Sequence, residues 1–279
     1  MKNIAEGKPS AIFIERKFMK VFVTDLDGTL LNENRQLTPE MEMLIRLIRD
    51  KGYYFGIATG RPFFSAESAF DRIQDQVDFA ICNNGGDIHD FISGEVHEQY
   101  PLSGSDVSEI LDFGRALGGN AILGFDDILH IDFEDEYSKM MAKYVDVEVG
   151  DIKPLIKDHH AKIIFRGSPE VLKKIAEYDA EHPKETYKAF MSQADLIEFM
   201  DPRVNKLTGI EWFCETHDID IKDVMAFGDA DNDIEMVAGV GVGIAMDNAT
   251  ESVKAVAKHV TYANTDNGVY RYLIEYMSM

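Results

Sequence analysis

Asp25 and Asp27 stand two residues apart at the end of an apolar run, in Val21-Phe-Val-Thr-Asp-Leu-Asp-Gly-Thr-Leu-Leu31. Side chains two apart on a strand point the same way, so both carboxylates can face one reaction centre. There one can hold a metal and attack as a nucleophile while the other carries a proton. Asp-x-Asp-Gly-Thr should arise by chance in about one chain of this length in several hundred. Asp and Gly also favour turns and helix caps, but a purely structural role leaves a close pair of like charges unexplained. Two carboxylates repel unless a cation or a proton separates them. Mg²⁺ beside Asp25, with Asp27 able to hold a proton, resolves the conflict.

A second acidic cluster, Gly228-Asp229-Ala-Asp231-Asn232-Asp233, follows the apolar run 224–227. Mg²⁺ prefers oxygen ligands and keeps waters and substrate phosphate in its shell, so one carboxylate from each cluster suffices. Asp229 is the better choice, since it directly follows the run. The spacing and the bidentate Glu at the twelfth position of a calcium loop are missing.

The elements that must hold these groups alternate. A strand at 21–25 leads to a helix that Thr38 caps and Pro39 opens. Met41, Leu44, Ile45 and Ile48 form its apolar stripe and Gly52 ends it. A strand at 53–58, the turn Thr59-Gly60-Arg61-Pro62, a helix at 64–73 and a strand at 79–82 follow. Such alternation predicts a parallel sheet covered by helices.

At Asn83-Asn84-Gly85-Gly86 the pattern changes. Asn-Gly is a hairpin signal, and 87–92 and 95–100 read as short antiparallel strands. Helices are expected at 106–117, 134–144 and 169–182, with strands at 121–125, 129–133, 162–166, 186–191 and 196–200. The alternation then returns: a helix at 206–216, strands at 224–227 and 240–245, and helices near 250–257 and 268–277.

The expected fold is therefore α/β, a doubly wound parallel-sheet core (19–84 and 198–279) with an inserted α+β domain (85–197). Residues 1–18 form an N-terminal extension. Ligands of open parallel sheets bind beyond the carboxyl ends of the strands, which selects 25–29, 59–61 and 228–233.

The net charge of −22 over 279 residues argues against nucleic acid or an anionic membrane as partner, because the phosphate-driven term would be repulsive. A small anionic substrate is not excluded, since a metal and a few cations can reverse the field inside one cleft. Residues 1–20 are too broken by charge for a secretory signal, and no apolar run approaches a membrane span. Cys82 and Cys214 show no Cys-x-x-Cys and no Cys/His spacing suited to zinc. Both read as buried free thiols in a reducing, cytoplasmic setting. His89, His97, His130, His159 and His160 read as surface or core residues without metal spacing. Gly239-Val-Gly241-Val-Gly243 fails the dinucleotide spacing, and no Walker A lysine or G-x-S-x-G elbow occurs.

Four segments in order carry a family resemblance: Asp25-Leu-Asp27-Gly28-Thr29, Ala58-Thr59-Gly60-Arg61, Asn205-Lys206-Leu-Thr-Gly209-Ile210 and Gly228-Asp229-x-x-Asn232-Asp233. Gly243-Ile-Ala-Met-Asp-Asn248 adds a fifth. The chain resembles the haloacid dehalogenase superfamily of phosphohydrolases and, within it, the Cof-like sugar-phosphate phosphatases, across roughly residues 20–279. Leu207 replaces the usual Gly after the lysine, and residues 1–18 have no counterpart.

The resemblance implies a role for each residue. Asp25 would be the nucleophile and Asp27 the general acid/base. Thr59 would bind the phosphoryl group with Gly60, Lys206 would be the phosphate-binding cation, and Asn232 would fix phosphate or substrate. Arg61 would bind substrate or pair with an acidic neighbour. Asp25, the backbone carbonyl of Asp27, Asp229 and Asp233 would hold Mg²⁺. Segment 85–197 would be a cap that closes over the cleft, or an oligomerisation domain. The implied activity is Mg²⁺-dependent hydrolysis of a small phosphorylated metabolite (sugar phosphate, pyridoxal phosphate or FMN) through an aspartyl-phosphate, by a monomer or homodimer. A phosphomutase of similar fold and a non-catalytic phospholigand-binding module are the alternatives.

Overall fold

Val21–Thr24 is buried at every position, as a strand flanked by neighbours in a sheet covered on both faces must be. The structure, a computed structural model, describes residues 19–278; the extension expected at 1–18 lies outside the described residues. The chain divides into two compact units, residues 19–57, 75–77 and 214–278 in the first and residues 58–74 and 78–213 in the second. The α+β segment expected at 85–197 lies wholly within the second unit, which also carries 58–74, 78–84 and 198–213.

In the first unit the strands lie in the order His259–Val260, Val242–Ala245, Val224–Gly228, Val21–Thr24, Tyr54–Ala58, all parallel. Val21–Thr24 connects to a strand on one side, and Val224–Gly228 connects to one on the other. The sheet therefore reverses its winding between these two neighbours, where a crevice opens in doubly wound folds. Helix Pro39–Asp50 starts as its sequence dictates: the Thr38 hydroxyl accepts from the Met41 N–H at 3.3 Å. Its stripe of Met41, Leu44, Ile45 and Ile48 is buried. The short strand His259–Val260 lies outside the elements expected from the sequence; two residues offer no period to read.

In the second unit Phe79–Cys82, Asp87–Asp90 and Glu95–Glu98 form an antiparallel meander. A six-stranded sheet has the order Lys188–Gln193, Leu196–Met200, Ile163–Arg166, Asn120–Phe125, Ile128–Ile131, Asp146–Val149. Phe165 and Phe199 pack edge to face within it, with centroids 6.1 Å apart, in a core shared with Ile110 and Leu111 of helix Gly104–Ala116 and Leu172 and Ile175 of helix Pro169–Glu181. Each such side chain contributes roughly 1.5–3 kcal/mol by leaving water. The strand Asp146–Val149 is a further element the sequence did not announce. It is an edge strand with mostly exposed residues, so it lacks the buried alternation that marks an inner strand.

Candidate active site

Asp25 and Asp229 leave adjacent parallel strands at the same end. The Asp25 N–H donates to the Phe227 carbonyl at 3.0 Å, which continues the ladder one step past Thr24. Directly after it the chain turns through Leu26–Leu30, where Gly28 takes φ +86°. A Cβ at Gly28 would fall on the Asp229 carboxylate, so the glycine is required both by its left-handed backbone and by this close approach.

Oxygen atoms of Asp25, Asp229 and Asp233 lie within 4.8 Å of one another. Asp25 and Asp233 are buried and Asp229 is half-buried. Each carboxylate is aimed by neighbours. The Thr29 hydroxyl donates to Asp229 Oδ1 at 2.5 Å. Asp233 Oδ2 accepts from the backbone N–H groups of Asp229 and Ala230 at 2.8 and 3.0 Å, which fixes the turn that presents Asp229. Asn248 Nδ2 donates to the Gly28 carbonyl at 2.8 Å, so the loop after strand Val242–Ala245 braces the Gly28 turn. Three close carboxylates, two of them buried, form an all-oxygen donor set with strong mutual repulsion, and a hard divalent cation answers both features.

Asp27 and Asn232 are exposed, and the Asp27 side chain is not in that triad. Asp231, which no role was assigned, accepts from the Thr250 hydroxyl at 2.8 Å and serves the turn.

Thr59, Gly60, Arg61 and Lys206 belong to the second unit. Thr59 is buried, and its Oγ1 accepts from the Arg61 N–H at 3.2 Å. The turn is anchored to the end of strand Phe79–Cys82: Thr59 N–H donates to Ile81 O at 2.8 Å, Asn83 N–H to Arg61 O at 2.9 Å, and Asn84 N–H to Thr59 O at 3.0 Å. Arg61 Nη1 donates to the Ser65 carbonyl at 3.3 Å.

Lys206 opens helix Lys206–Thr216 and is 0% exposed, which is unusual for a lysine. Asn205 and Thr208 cap that helix reciprocally. Asn205 Oδ1 accepts from the Thr208 N–H at 3.1 Å, and Thr208 Oγ1 from the Asn205 N–H at 3.3 Å. Gly85, at φ +107°, lies so close that a Cβ would strike the Asn205 carbonyl. The 83–86 turn thus packs on the start of the Lys206 helix, and Asn83 and Asn84 before it are both left-handed, as asparagine tolerates.

Sequence reasoning missed Lys162 and Glu198. Their side chains are only 7% and 9% exposed and pair at 3.1 Å. Lys162 Nζ also donates to the Gly60 carbonyl at 2.8 Å, and Asn84 Nδ2 donates to Glu198 Oε2 at 3.2 Å. This network ties the six-stranded sheet to the Thr59–Arg61 turn. Lys162 precedes Ile163–Arg166, and Glu198 pairs with Ile164, so the two are diagonal neighbours on one face. The one available signal was Glu198 inside the otherwise apolar Leu196–Met200. Lys162→Met should destabilise the protein by about 3–5 kcal/mol, because it strands a buried carboxylate. Urea unfolding checks this, and a loss under about 1 kcal/mol would mean that water reaches Glu198.

No helix of the described residues is long and apolar enough to cross a membrane. Residues 22–273 match the family described as haloacid dehalogenase-like hydrolase. The chain is 28% identical to the 5-amino-6-(5-phospho-D-ribitylamino)uracil phosphatase YitU of Bacillus subtilis, over 91% of this chain and 96% of that protein. It is 25% identical to the pyridoxal phosphate phosphatase YbhA of Escherichia coli, over 92% and 98%. Among solved structures it superposes on TM0651 of Thermotoga maritima with a TM-score of 0.82 at 27% identity, covering 93% of this chain and 97% of that one. The subclass IIB sugar phosphatase BT4131 gives 0.81 at 22% identity, covering 93% and 100%, a likeness of fold.

Proposed function

Since the chain belongs to the haloacid dehalogenase-like hydrolases, as a Cof-like phosphatase, we propose that it hydrolyses a small phosphorylated metabolite by attack of Asp25 on phosphorus. The observation that carries this reading is the convergence of Asp25, Asp229 and Asp233 at the reversal point of the sheet.

An Asp25 oxygen forms a bond to phosphorus in line with the leaving alcohol, whose P–O bond breaks as Asp27 gives it a proton. Water then attacks the same phosphorus and Asp27 takes its proton. The Asp25–phosphate bond breaks, and inorganic phosphate leaves. Thr59 through its hydroxyl and Lys206 through its ammonium group would hold the equatorial oxygens as charge redistributes, with Gly60, Arg61 and Asn232 assisting. Asp25, the Asp27 carbonyl, Asp229 and Asp233 would hold Mg²⁺, which when bound supplies Lewis-acid neutralisation of phosphoryl charge.

The α+β segment 85–197 would act as the cap that excludes water and selects the leaving group. The relatives named above act on a phosphoribityl-aminouracil and on pyridoxal phosphate, so phosphorylated heteroaromatic metabolites join sugar phosphates as first candidates.

Phosphate release with Mg²⁺ should be screened over phosphoribityl-aminouracil, FMN, pyridoxal phosphate and a set of sugar phosphates. One chemical class should exceed the others in kcat/KM. Absence of release from every member would sink the reading, and release only with a bisphosphate activator would make the protein a mutase.

A further inference from the structure

We infer that Cys82, Asp87 and His89 form a second metal site, for one borderline-soft divalent transition metal of the Zn²⁺ or Co²⁺ kind. The strand register creates it. Cys82 pairs with Asp87 and Ala80 with His89 across the antiparallel strands Phe79–Cys82 and Asp87–Asp90. Residues 82, 87 and 89 therefore project from one face, and Ala80 leaves room beneath the imidazole. One ligand atom from each of the three lies within 4.8 Å of the others. The set is one sulfur, one nitrogen and one oxygen, unlike the all-oxygen triad of Asp25, Asp229 and Asp233. Such a mixture suits Zn²⁺, Co²⁺ or Ni²⁺ and not Mg²⁺.

Three further observations point to a built site. The Cys82 side chain is completely buried and has no hydrogen-bond partner among the described residues, yet it faces two polar groups. Asp87 Oδ1 is held by Asn83 Nδ2 at 2.5 Å, which leaves Oδ2 directed at His89. Phe63 stacks on the His89 ring at 3.8 Å between centroids and fixes its plane. Partners that orient ligands in this way accompany metal sites as a rule.

Asp87 Oδ2 and His89 Nε2 lie 2.9 Å apart. Bonds of about 2.0–2.1 Å at tetrahedral angles need about 3.3 Å between two ligand atoms, so the Asp87–His89 pair would open by about 0.4 Å to seat the ion. The ion would replace the thiol proton of Cys82, which goes to solvent, and would bind Nε2 of a neutral His89 whose single ring proton then sits on Nδ1. Entry is from the Asp87 and His89 side, where each side chain is 15% exposed. Three protein ligands leave a fourth position for water.

A cysteine-nucleophile reading of the same residues fails on the thiol itself. Burial pushes it well above its usual value, Asp87 adds to the rise and Lys162 opposes it, and a protonated thiol is a poor nucleophile. The positive charge of Lys162 does not repel the ion strongly, because Glu198 pairs with it at 3.1 Å. A bound ion would clamp the end of Phe79–Cys82, from which Asn83 and Asn84 hold the Thr59–Arg61 turn. The inference rests on the hairpin alone and stands apart from the phosphatase reading.

The test is titration of the full-length protein with Co²⁺ in excess Mg²⁺, followed by near-ultraviolet and visible absorption. The expected result is a thiolate-to-cobalt charge-transfer band that saturates at one equivalent and is displaced by Zn²⁺. Cys82→Ser and His89→Gln should each remove it, whereas Cys214→Ser and Asp25→Asn should keep it. Zn²⁺ should also raise the thermal midpoint of the unaltered protein more than that of Cys82→Ser. No band at one equivalent, or a band that survives Cys82→Ser, overturns the inference. Since Asp25→Asn removes the proposed nucleophile, a band in that variant separates the two readings.

Discussion

Asp25→Asn is expected to abolish phosphate release, by on the order of 10⁴-fold or more in kcat, while leaving the protein folded. The carboxamide keeps the shape of the carboxylate, but its oxygen is neutral and cannot form a stable bond to phosphorus, so the two-step route closes. Loss of a nucleophile removes as much rate as loss of the whole catalytic set in systems that act as a unit. Asp27→Asn should cost less, about 10²–10⁴-fold, because a positioned proton carrier contributes on that scale. The folded state should respond in the opposite direction. Asp25 is one of three carboxylates within 4.8 Å, so in chelator the neutral variant should unfold at a higher temperature than the unaltered protein. Retention of near-normal turnover by Asp25→Asn would refute the nucleophile assignment. A lower midpoint in chelator would show that Asp25 serves the fold by contacts that outweigh the repulsion.

What the sequence disclosed and what it hid divide along a physical line. Helix Pro39–Asp50 was readable to its cap, because Thr38, Pro39 and a 3.6-residue stripe are local signals. The strand Leu196–Met200 was readable from its apolar run, and the turn at 83–86 from Asn-Gly. The meeting of Asp25 with Asp229 and Asp233 followed from a general rule about strand ends rather than from any local pattern. Features made by pairing between distant strands were not legible. Lys162 and Glu198 are 36 positions apart and meet only because Ile163–Arg166 lies beside Leu196–Met200. Cys82, Asp87 and His89 are close in sequence, but their spacing fits no zinc pattern. Only the hairpin register, with two left-handed asparagines and a crowded Gly85, turns residues 82, 87 and 89 to one side. A one-residue slip would have sent Cys82 to the opposite face.

Removing divalent metal should silence the enzyme as completely as removing Asp25, and for a related reason. With EDTA present, Asp25, Asp229 and Asp233 face one another with no cation among them. Two are buried, and burial makes each charge more costly. Their uncompensated charge then repels an anionic substrate, and no Lewis acid neutralises the phosphoryl group as Asp25 attacks. Activity should fall below detection and return with Mg²⁺. Stability should move in step. At 100 times its dissociation constant the ion stabilises the folded protein by about 2.7 kcal/mol through mass action, a rise of several degrees in the thermal midpoint for a chain of this size. Asp229→Asn should lose most of that Mg²⁺-dependent rise, since it weakens the donor set at the position that Thr29 holds in place. The Lys162–Glu198 pair lies in the other unit, so Lys162→Met should lower the baseline midpoint and leave the Mg²⁺ increment in place. Full turnover in EDTA, or an equal Mg²⁺ increment with and without Asp229→Asn, would remove the metal from this account.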